Sequence, residues 1–472
     1  MKYLNIVLFI VSMPIFSCNT DTGNDANKNS GSLQFEFWLT NPDKSVLFQK
    51  QNTDQTISGV PSNAPVIEVD ETQTYQTMDG FGFALTGGSA MLINRMSAAK
   101  QDELLKELFA TDGGIGTSYL RVSIGASDLN DHVFSYDDLP AGQTDTAMSL
   151  FNLDPDRVDL IPVLKKILII NPAIKILGSP WSAPVWMKTN GNSIGGSLRQ
   201  QYYAAYAKYF VKYIQDMRDE GIPIDAITIQ NEPLYGGNNP SMLMSAVEQA
   251  SFIKNYLGPA FSIANITTKI FVYDHNADRT DYPITVLNDT TARKYIDGSA
   301  FHLYGGTIED ISAVHNAHPD KNLYFTEQWV GAPGNFPADL GWHIKNLIIG
   351  APRNWCRVVL EWNLAADQNQ NPHTDGGCTQ CLGAVTIEGD AVTRNPAYYI
   401  VAHASKFVRP GSVRITSTIS AELPNVAFKT ADGKKVLIVL NDGNGPKAFK
   451  IRSSGKEATT YLQAGAVGTY IW

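Results

Sequence analysis

Two glutamates each close a short apolar run. The first is Glu232 in Ala226-Ile227-Thr228-Ile229-Gln230-Asn231-Glu232-Pro233, and the second is Glu327 in Tyr324-Phe325-Thr326-Glu327-Gln328-Trp329. The first run reads as a buried parallel strand, and Pro233 forbids the ladder from continuing, so Asn231 and Glu232 fall at the strand's end. A carboxylate at the mouth of a strand is how an α/β barrel displays a catalytic acid. Two carboxyls about 5–5.5 Å apart can hydrolyse a glycoside with retention, one as nucleophile and the other as acid and then base. A single such glutamate is more often a solvated turn residue, whereas two at matching strand ends argue for chemistry.

The elements that must position these residues repeat eight times. From Met78 onward, apolar runs at 80–85, 118–124, 174–178, 226–230, 269–273, 300–303, 323–326 and 357–361 mostly alternate with helix-like segments. That is the pattern of an α/β protein built on a (β/α)₈ TIM barrel, whose functional residues follow the C-terminal ends of the strands. Tyr202, Tyr206, Tyr209, Phe210, Tyr213, Ile214 and Met217 fall at helical spacing and are expected to pack a helix onto the barrel. The flanks read differently. The run at 33–39 alternates apolar and polar residues, 66–69 is another short strand, and no long helix is expected after Thr386. Runs at 413–419, 426–430, 435–440, 448–451, 459–462 and 468–472 read as antiparallel strands. The expected organisation is a catalytic barrel over 76–390 and a β-sandwich-like side domain built from N- and C-terminal segments, 33–75 and 391–472.

Composition narrows the partners. A chain of 472 residues that is 43% hydrophobic and 18% charged can bury a large core, and a net charge of −9 argues against a nucleic-acid surface. Met1-Lys2 followed by an apolar run from Tyr3 to Val11 reads as a signal peptide, too short to span a bilayer. Ile15-Phe16-Ser17-Cys18 resembles a bacterial lipobox, giving a signal peptide over 1–17 and Cys18 as the lipidated first residue. The alternative is ordinary secretion with Cys18 lost or left free. Residues 18–32 are polar and read as a flexible tether. A monomer anchored to the membrane by lipid, in the outer membrane, is the expected state.

The positions at or past the strand ends form a polar and aromatic set: Arg121 and Asp128; Ser179, Trp181, Trp186 and Lys188; Asn231 and Glu232; Asp274, His275 and Asn276; His302 and Tyr304; Glu327; Trp362 and Asn363. Arg121 would keep a nucleophile ionised, Tyr304 would donate to it, and Asn231 is placed for the sugar 2-hydroxyl. Trp181 and Trp362 read as sugar-stacking faces, with core packing the alternative. His302 is open between substrate contact and a structural hydrogen bond.

These residues carry a resemblance to glycoside hydrolase family 30, the glucosylceramidase-like retaining β-glycosidases. It rests on Met78-Asp79-Gly80-Phe81-Gly82, Leu120-Arg121-Val122, the run from Ser179 to Asn190, Asn231-Glu232-Pro233, Thr326-Glu327 and Trp362-Asn363-Leu364. The resemblance implies Glu232 as acid/base and Glu327 as nucleophile. It also implies Arg121, Asp128, Trp181, Asn231, His302, Tyr304 and Trp362 around the sugar whose bond breaks, and no cofactor or metal. The stretch from Asn371 to Gly383 is similar to the endo-β-1,6-glucanase branch, so a β-glucan is the expected substrate; glucosylceramide-like glucosides and xylan are the alternatives. A non-catalytic glycan-binding lipoprotein is the rival from another class, and it would need neither glutamate.

His373, Cys378, Cys381 and Cys356 could be counted as four zinc ligands. However, Cys356 begins the eighth strand and Cys378 and Cys381 follow its far end, a separation of roughly 20 Å. The simpler reading is a local Cys378–Cys381 disulfide with Cys356 a buried thiol.

Overall fold

The computed structural model describes residue 1 and residues 31–52 and 63–472. The expected signal peptide after Met1, lipidated Cys18 and most of the tether lie outside the described residues. Among the described residues, no helix is long and apolar enough to cross a membrane.

Eight parallel strands close into a barrel: Gly80–Ala84, Tyr119–Ser123, Lys175–Ser179, Ala226–Thr228, Lys269–Asn276, Gly298–His302, Asn322–Glu327 and Cys356–Asn363, the last pairing with the first. Every one falls on an expected run. Tyr119, Leu177, Ala226, Phe271, Ala300, Tyr324, Val358 and Leu360 form a separate apolar cluster contributed by seven of the eight strands, the plug of the lower barrel. The tyrosine-rich segment forms the helix Tyr203–Asp219, with Tyr206, Tyr209 and Tyr213 fully buried against the barrel.

A nine-stranded sheet makes the side domain, in the order Gln49–Gln51, Glu36–Thr40, Val467–Ile471, Lys435–Leu440, Asn425–Lys429, Val413–Ser417, Val66–Thr77, Lys447–Ser453 and Lys456–Leu462. Strands from both ends of the chain thus share one sheet. Within Lys435–Leu440, Leu437 and Val439 enter the side domain's own core, whereas Val436, Ile438 and Leu440 belong to the core shared with the barrel. Both faces are covered, which is why this strand is continuously apolar rather than alternating.

One expectation needs correction. The chain after Thr386 does form a helix, Pro396–Ser405, and all ten of its residues are buried. It packs on the first barrel strand and on the helix Phe336–His343, so the barrel's helical layer continues beyond residue 390. His403 ties it to the side sheet through Thr469 Oγ1 and Thr40 Oγ1, each at 2.8 Å. A helix buried all round has no polar face, and therefore no amphipathic period to read.

Candidate active site

Two residues up most strands from the apolar plug, the inward positions turn polar. Leu177 is followed by Ser179, Ala226 by Thr228, Ala300 by His302, Tyr324 by Thr326 and Tyr119 by Arg121. The two-residue period of a strand makes this a second layer resting on the first. The fifth strand reaches it by a different route. Its register slips between Tyr273 and His275, and Tyr273 and Asp274 both have positive φ, 74° and 67°. This bulge sends Tyr273 outward onto Tyr282 and Phe301, and it turns Asp274 into the barrel.

Asp274 is the hub of the polar layer. Its Oδ2 accepts from Arg121 Nη2 at 2.8 Å and Thr228 Oγ1 at 2.7 Å, while Oδ1 accepts from Thr326 Oγ1 at 2.7 Å and lies 3.2 Å from His302 Nε2. Burial opposes its charge, but Arg121, His302 and Thr326 hold the carboxylate far below the usual range. Arg121 then reaches Glu327 Oε2 at 2.5 Å and Asn231 Oδ1 at 2.6 Å. Its guanidinium lies 4.8 Å from the ring centre of Trp181, which stacks on Trp362 at 5.3 Å.

The two glutamates sit above this layer. Glu232 has φ +46°, a left-handed conformation that costs a non-glycine residue of order 1–3 kcal/mol. Its N–H donates to the Asp274 carbonyl, and its own carbonyl accepts from Tyr235 N, closing a turn in which Pro233 is the second residue. Glu232 Oε1 is 3.2 Å from His302 Nδ1; Glu327 Oε1 accepts from the Tyr304 hydroxyl at 3.0 Å. Ligating atoms of Glu232, His302 and Glu327 lie within 4.8 Å of one another, so the two carboxylates are opposed at short range. The same three could share a cation by spacing, but both His302 nitrogens already face carboxylates, the arrangement of a proton donor.

Charge is unevenly distributed here. Burial alone would lower His302, yet Glu327, Asp274 and Glu232 raise it to about 9. Burial raises Glu232, and the His302 hydrogen bond and charge outweigh it, so the net shift is downward. Glu327 goes the other way: burial and the Glu232 charge raise it, and His302 and Arg121 only partly offset them. Asp128 is pushed up to about 7 by burial and by the charges of Glu327 and Glu232.

A cavity of about 480 Å³ opens over these groups, lined by Asp128, Trp181, Glu232, Tyr304, Glu327 and Trp362 among others. The profile of the Glycosyl hydrolase family 30 TIM-barrel domain matches residues 78–408, and that of the family's beta sandwich domain matches 411–470. The chain belongs to glycosyl hydrolase family 30. It is a glycoside hydrolase. It is 36% identical to an endo-1,6-beta-D-glucanase of Aspergillus fumigatus over 86% of this chain and 87% of that one. It is 29% identical to the lysosomal acid glucosylceramidase of Mus musculus, over 86% of this chain and 83% of that one. A solved endo-beta1,6-glucanase superposes with a TM-score of 0.87 at 33% identity, covering 93% of this chain and 99% of its own.

Six of the nine site residues expected from the sequence line the cavity. Arg121, Asn231 and His302 do not; they lie behind it, Arg121 and His302 touching the carboxylates and Asn231 accepting from Arg121, since the second barrel layer sits below the opening. The cavity wall adds Tyr235, Asn238, His275, Asn276 and Trp329, together with the Cys378–Cys381 disulfide. Tyr235 and Asn238 belong to the loop after the fourth strand and carried no periodic signal. Cys356 is a buried free thiol, raised by desolvation. The disulfide loop holds Asp128 at both ends: the Cys378 N–H bonds its carboxylate, and the Thr374 N–H and hydroxyl both donate to its carbonyl.

Proposed function

We propose that this family 30 enzyme cleaves a β-1,6-linked glucan with retention, by double displacement between Glu327 and Glu232. The observation that carries the reading is two buried carboxylates opposed within 4.8 Å, with Arg121 bound to only one of them. Inverting enzymes instead keep their carboxyls about 6.5–9.5 Å apart to admit a water. Glu327, steadied by Arg121 and Tyr304, attacks the anomeric carbon. The bond to the leaving oxygen breaks as that oxygen takes a proton from Glu232, leaving a glycosyl ester on Glu327. Glu232 then removes a proton from water, whose oxygen displaces Glu327 and regenerates both groups.

The acid's proton belongs to a pair. Asp274, ionised by Arg121, fixes one proton on His302 Nε2. The next lies between His302 Nδ1 and Glu232 Oε1, 3.2 Å apart, and favours the imidazole in the resting site. Moving it onto Glu232 as the leaving oxygen gathers charge needs no rearrangement, and the pair titrates as a unit. The expected pH profile of kcat/KM is therefore a bell. Activity falls on the acid side as Glu327 is protonated, at a pH above the value of about 4.3 for a free glutamate. On the alkaline side it falls as the shared proton is lost, at about 9. His302→Asn deletes the partner, and the alkaline limb is expected to move down by at least about one pH unit. An unmoved limb would remove His302 from the pair.

The β-1,6-glucan assignment draws its support from the names of the Aspergillus relative and of the solved endo-beta1,6-glucanase. Its test is product analysis on β-1,3-, β-1,4- and β-1,6-glucans and an aryl β-glucoside. An oligosaccharide ladder from the β-1,6-glucan alone, with the β-anomer formed first, is the expected result. Release of the α-anomer first would end the retaining mechanism. One observation favours a second reading, a glucosylceramide-like substrate. Ile194, Leu234 and Leu243 are exposed on the adjoining loops after strands three and four, an apolar rim beside Tyr235.

The same proposal takes the enzyme to be a monomeric outer-membrane lipoprotein acylated on Cys18, and the apolar leader and the Ser17-Cys18 junction support the acylation. Labelled palmitate should enter the wild type and not Cys18→Ser; equal labelling of both would sink the anchor.

A further inference from the structure

We propose that His275 donates a hydrogen bond to the departing sugar, so that the pocket beyond Glu232 selects a hydroxylated leaving group over an apolar one. The inference rests on Glu232 being the acid, because the leaving oxygen must then lie on Glu232's side of the cavity. His275 is on that side, its Nε2 3.9 Å from Glu232 Oε1, and lines the cavity with Tyr235 and Asn238 of the loop that follows Glu232. The bulge that turns Asp274 inward also fixes where His275 emerges, paired in register with Phe301.

The position of the ring's proton follows from its surroundings. His275 is mostly buried, and desolvation brings its pKa down to about 4, so the ring is neutral near pH 7 with one N–H and one lone pair. Its Nδ1 is buried with no hydrogen-bond partner. An orphaned buried N–H is rarer than an unfilled acceptor, so the proton belongs on Nε2. That nitrogen lies 3.9 Å from Glu232 Oε1, too far for a direct hydrogen bond. The gap suits an oxygen within reach of both groups, since the same Glu232 oxygen already meets His302 Nδ1 at 3.2 Å. A sugar hydroxyl beside the leaving oxygen would fill it, whereas a lipid chain or an aryl ring would leave the donor unpaired.

Tyr235 supplies the matching face. Its ring is half exposed at the cavity wall and lies over Gly237, where any Cβ would come within 2.6 Å of the Tyr235 hydroxyl. A ring lodged in this way presents an apolar plane with a polar tip, which suits the face of a pyranose.

The test compares two leaving groups on the full chain. His275→Leu removes the donor, and His275→Gln restores one. For His275→Leu, kcat/KM is expected to fall about 10- to 100-fold on a β-1,6-linked glucose oligosaccharide and less than about 3-fold on nitrophenyl β-glucoside, with partial recovery in His275→Gln. Equal losses on both substrates would overturn the inference, because a folding defect acts on both; a loss confined to the oligosaccharide but accompanied by a displaced alkaline limb of kcat/KM would overturn it too, because a changed Glu232 acidity spares a nitrophenolate, which leaves without a proton. A wild type that cleaves only the aryl glucoside would overturn it as well, while leaving the two-glutamate mechanism standing. A wild type inert toward both would remove the mechanism itself, and the inference with it.

Discussion

Glu327→Ala is expected to lower turnover of every β-glucoside by on the order of 10⁴-fold or more, with the folded protein as stable as the wild type or more so. The two halves of this result have one cause. Glu327 is buried beside Glu232 and near Asp128, and its ionised form is opposed by desolvation and by the Glu232 charge. Removing it relieves that repulsion, and Arg121 keeps both Asp274 and Asn231 as partners. A site poised for chemistry at the expense of stability behaves in this way. Azide supplies the sharper readout. In Glu327→Ala the space left by the carboxylate admits the anion to the same face of the sugar, and the expected product is an α-glycosyl azide from an activated β-glycoside. In Glu232→Ala the glycosyl-enzyme still forms, azide replaces water, and the product is the β-azide. Thermal denaturation and product stereochemistry of the two variants check the argument together. A β-azide from Glu327→Ala would exchange the roles assigned here.

How much of this site could be read in advance depended on how each residue is held. Glu232 and Glu327 announce themselves because an apolar run stops at each, and the eightfold repeat gives both a common address. Trp181 and Trp362 were legible in the same way, and they satisfy both readings at once: they are packed on each other and they line the cavity. Asp274 also stands at a strand end, but nothing in the run Phe271-Val272-Tyr273-Asp274 says that it points inward. Counting by twos from Phe271 would place Tyr273 in the barrel and Asp274 outside. Only the bulge reverses them, and a backbone irregularity leaves no trace in hydrophobic period. The helix Pro396–Ser405 escaped notice for a related reason, since period vanishes when every face is buried. Tyr235 and Asn238 sit on a loop whose path is set by the barrel beneath it, not by its own sequence.

Asp274 is where that hidden geometry has its largest consequence, and Asp274→Ala is expected to destabilise the protein by about 3–5 kcal/mol. The substitution leaves Arg121 with one carboxylate fewer and strips Thr228, Thr326 and His302 of an acceptor, all inside the barrel. Asp274→Asn keeps the shape and separates charge from packing. Without the Asp274 charge facing Nε2, His302 holds its second proton less firmly, so the alkaline limb of kcat/KM should move down in Asp274→Asn even where the protein stays folded. Stability as a function of pH gives an independent check, and its sign follows from the shifts. Asp274 is depressed when folded, so its contribution is present above the ordinary aspartate value of about 3.9 and is lost as pH falls below it. Asp128 and Asp156 are raised to about 7 by burial; their ionisation penalty is absent below about 4 and grows as pH rises towards 7. The two trends leave a wild-type melting temperature that is highest in mildly acidic solution, between the two windows, and falls on either side. In Asp274→Asn the alkaline-side fall should persist, because Asp128 and Asp156 are untouched, while the fall below about pH 4 should flatten. A melting profile whose acid limb is the same in both proteins would mean that Asp274 does not carry the buried charge on which Arg121, His302 and, through them, both catalytic glutamates are arranged.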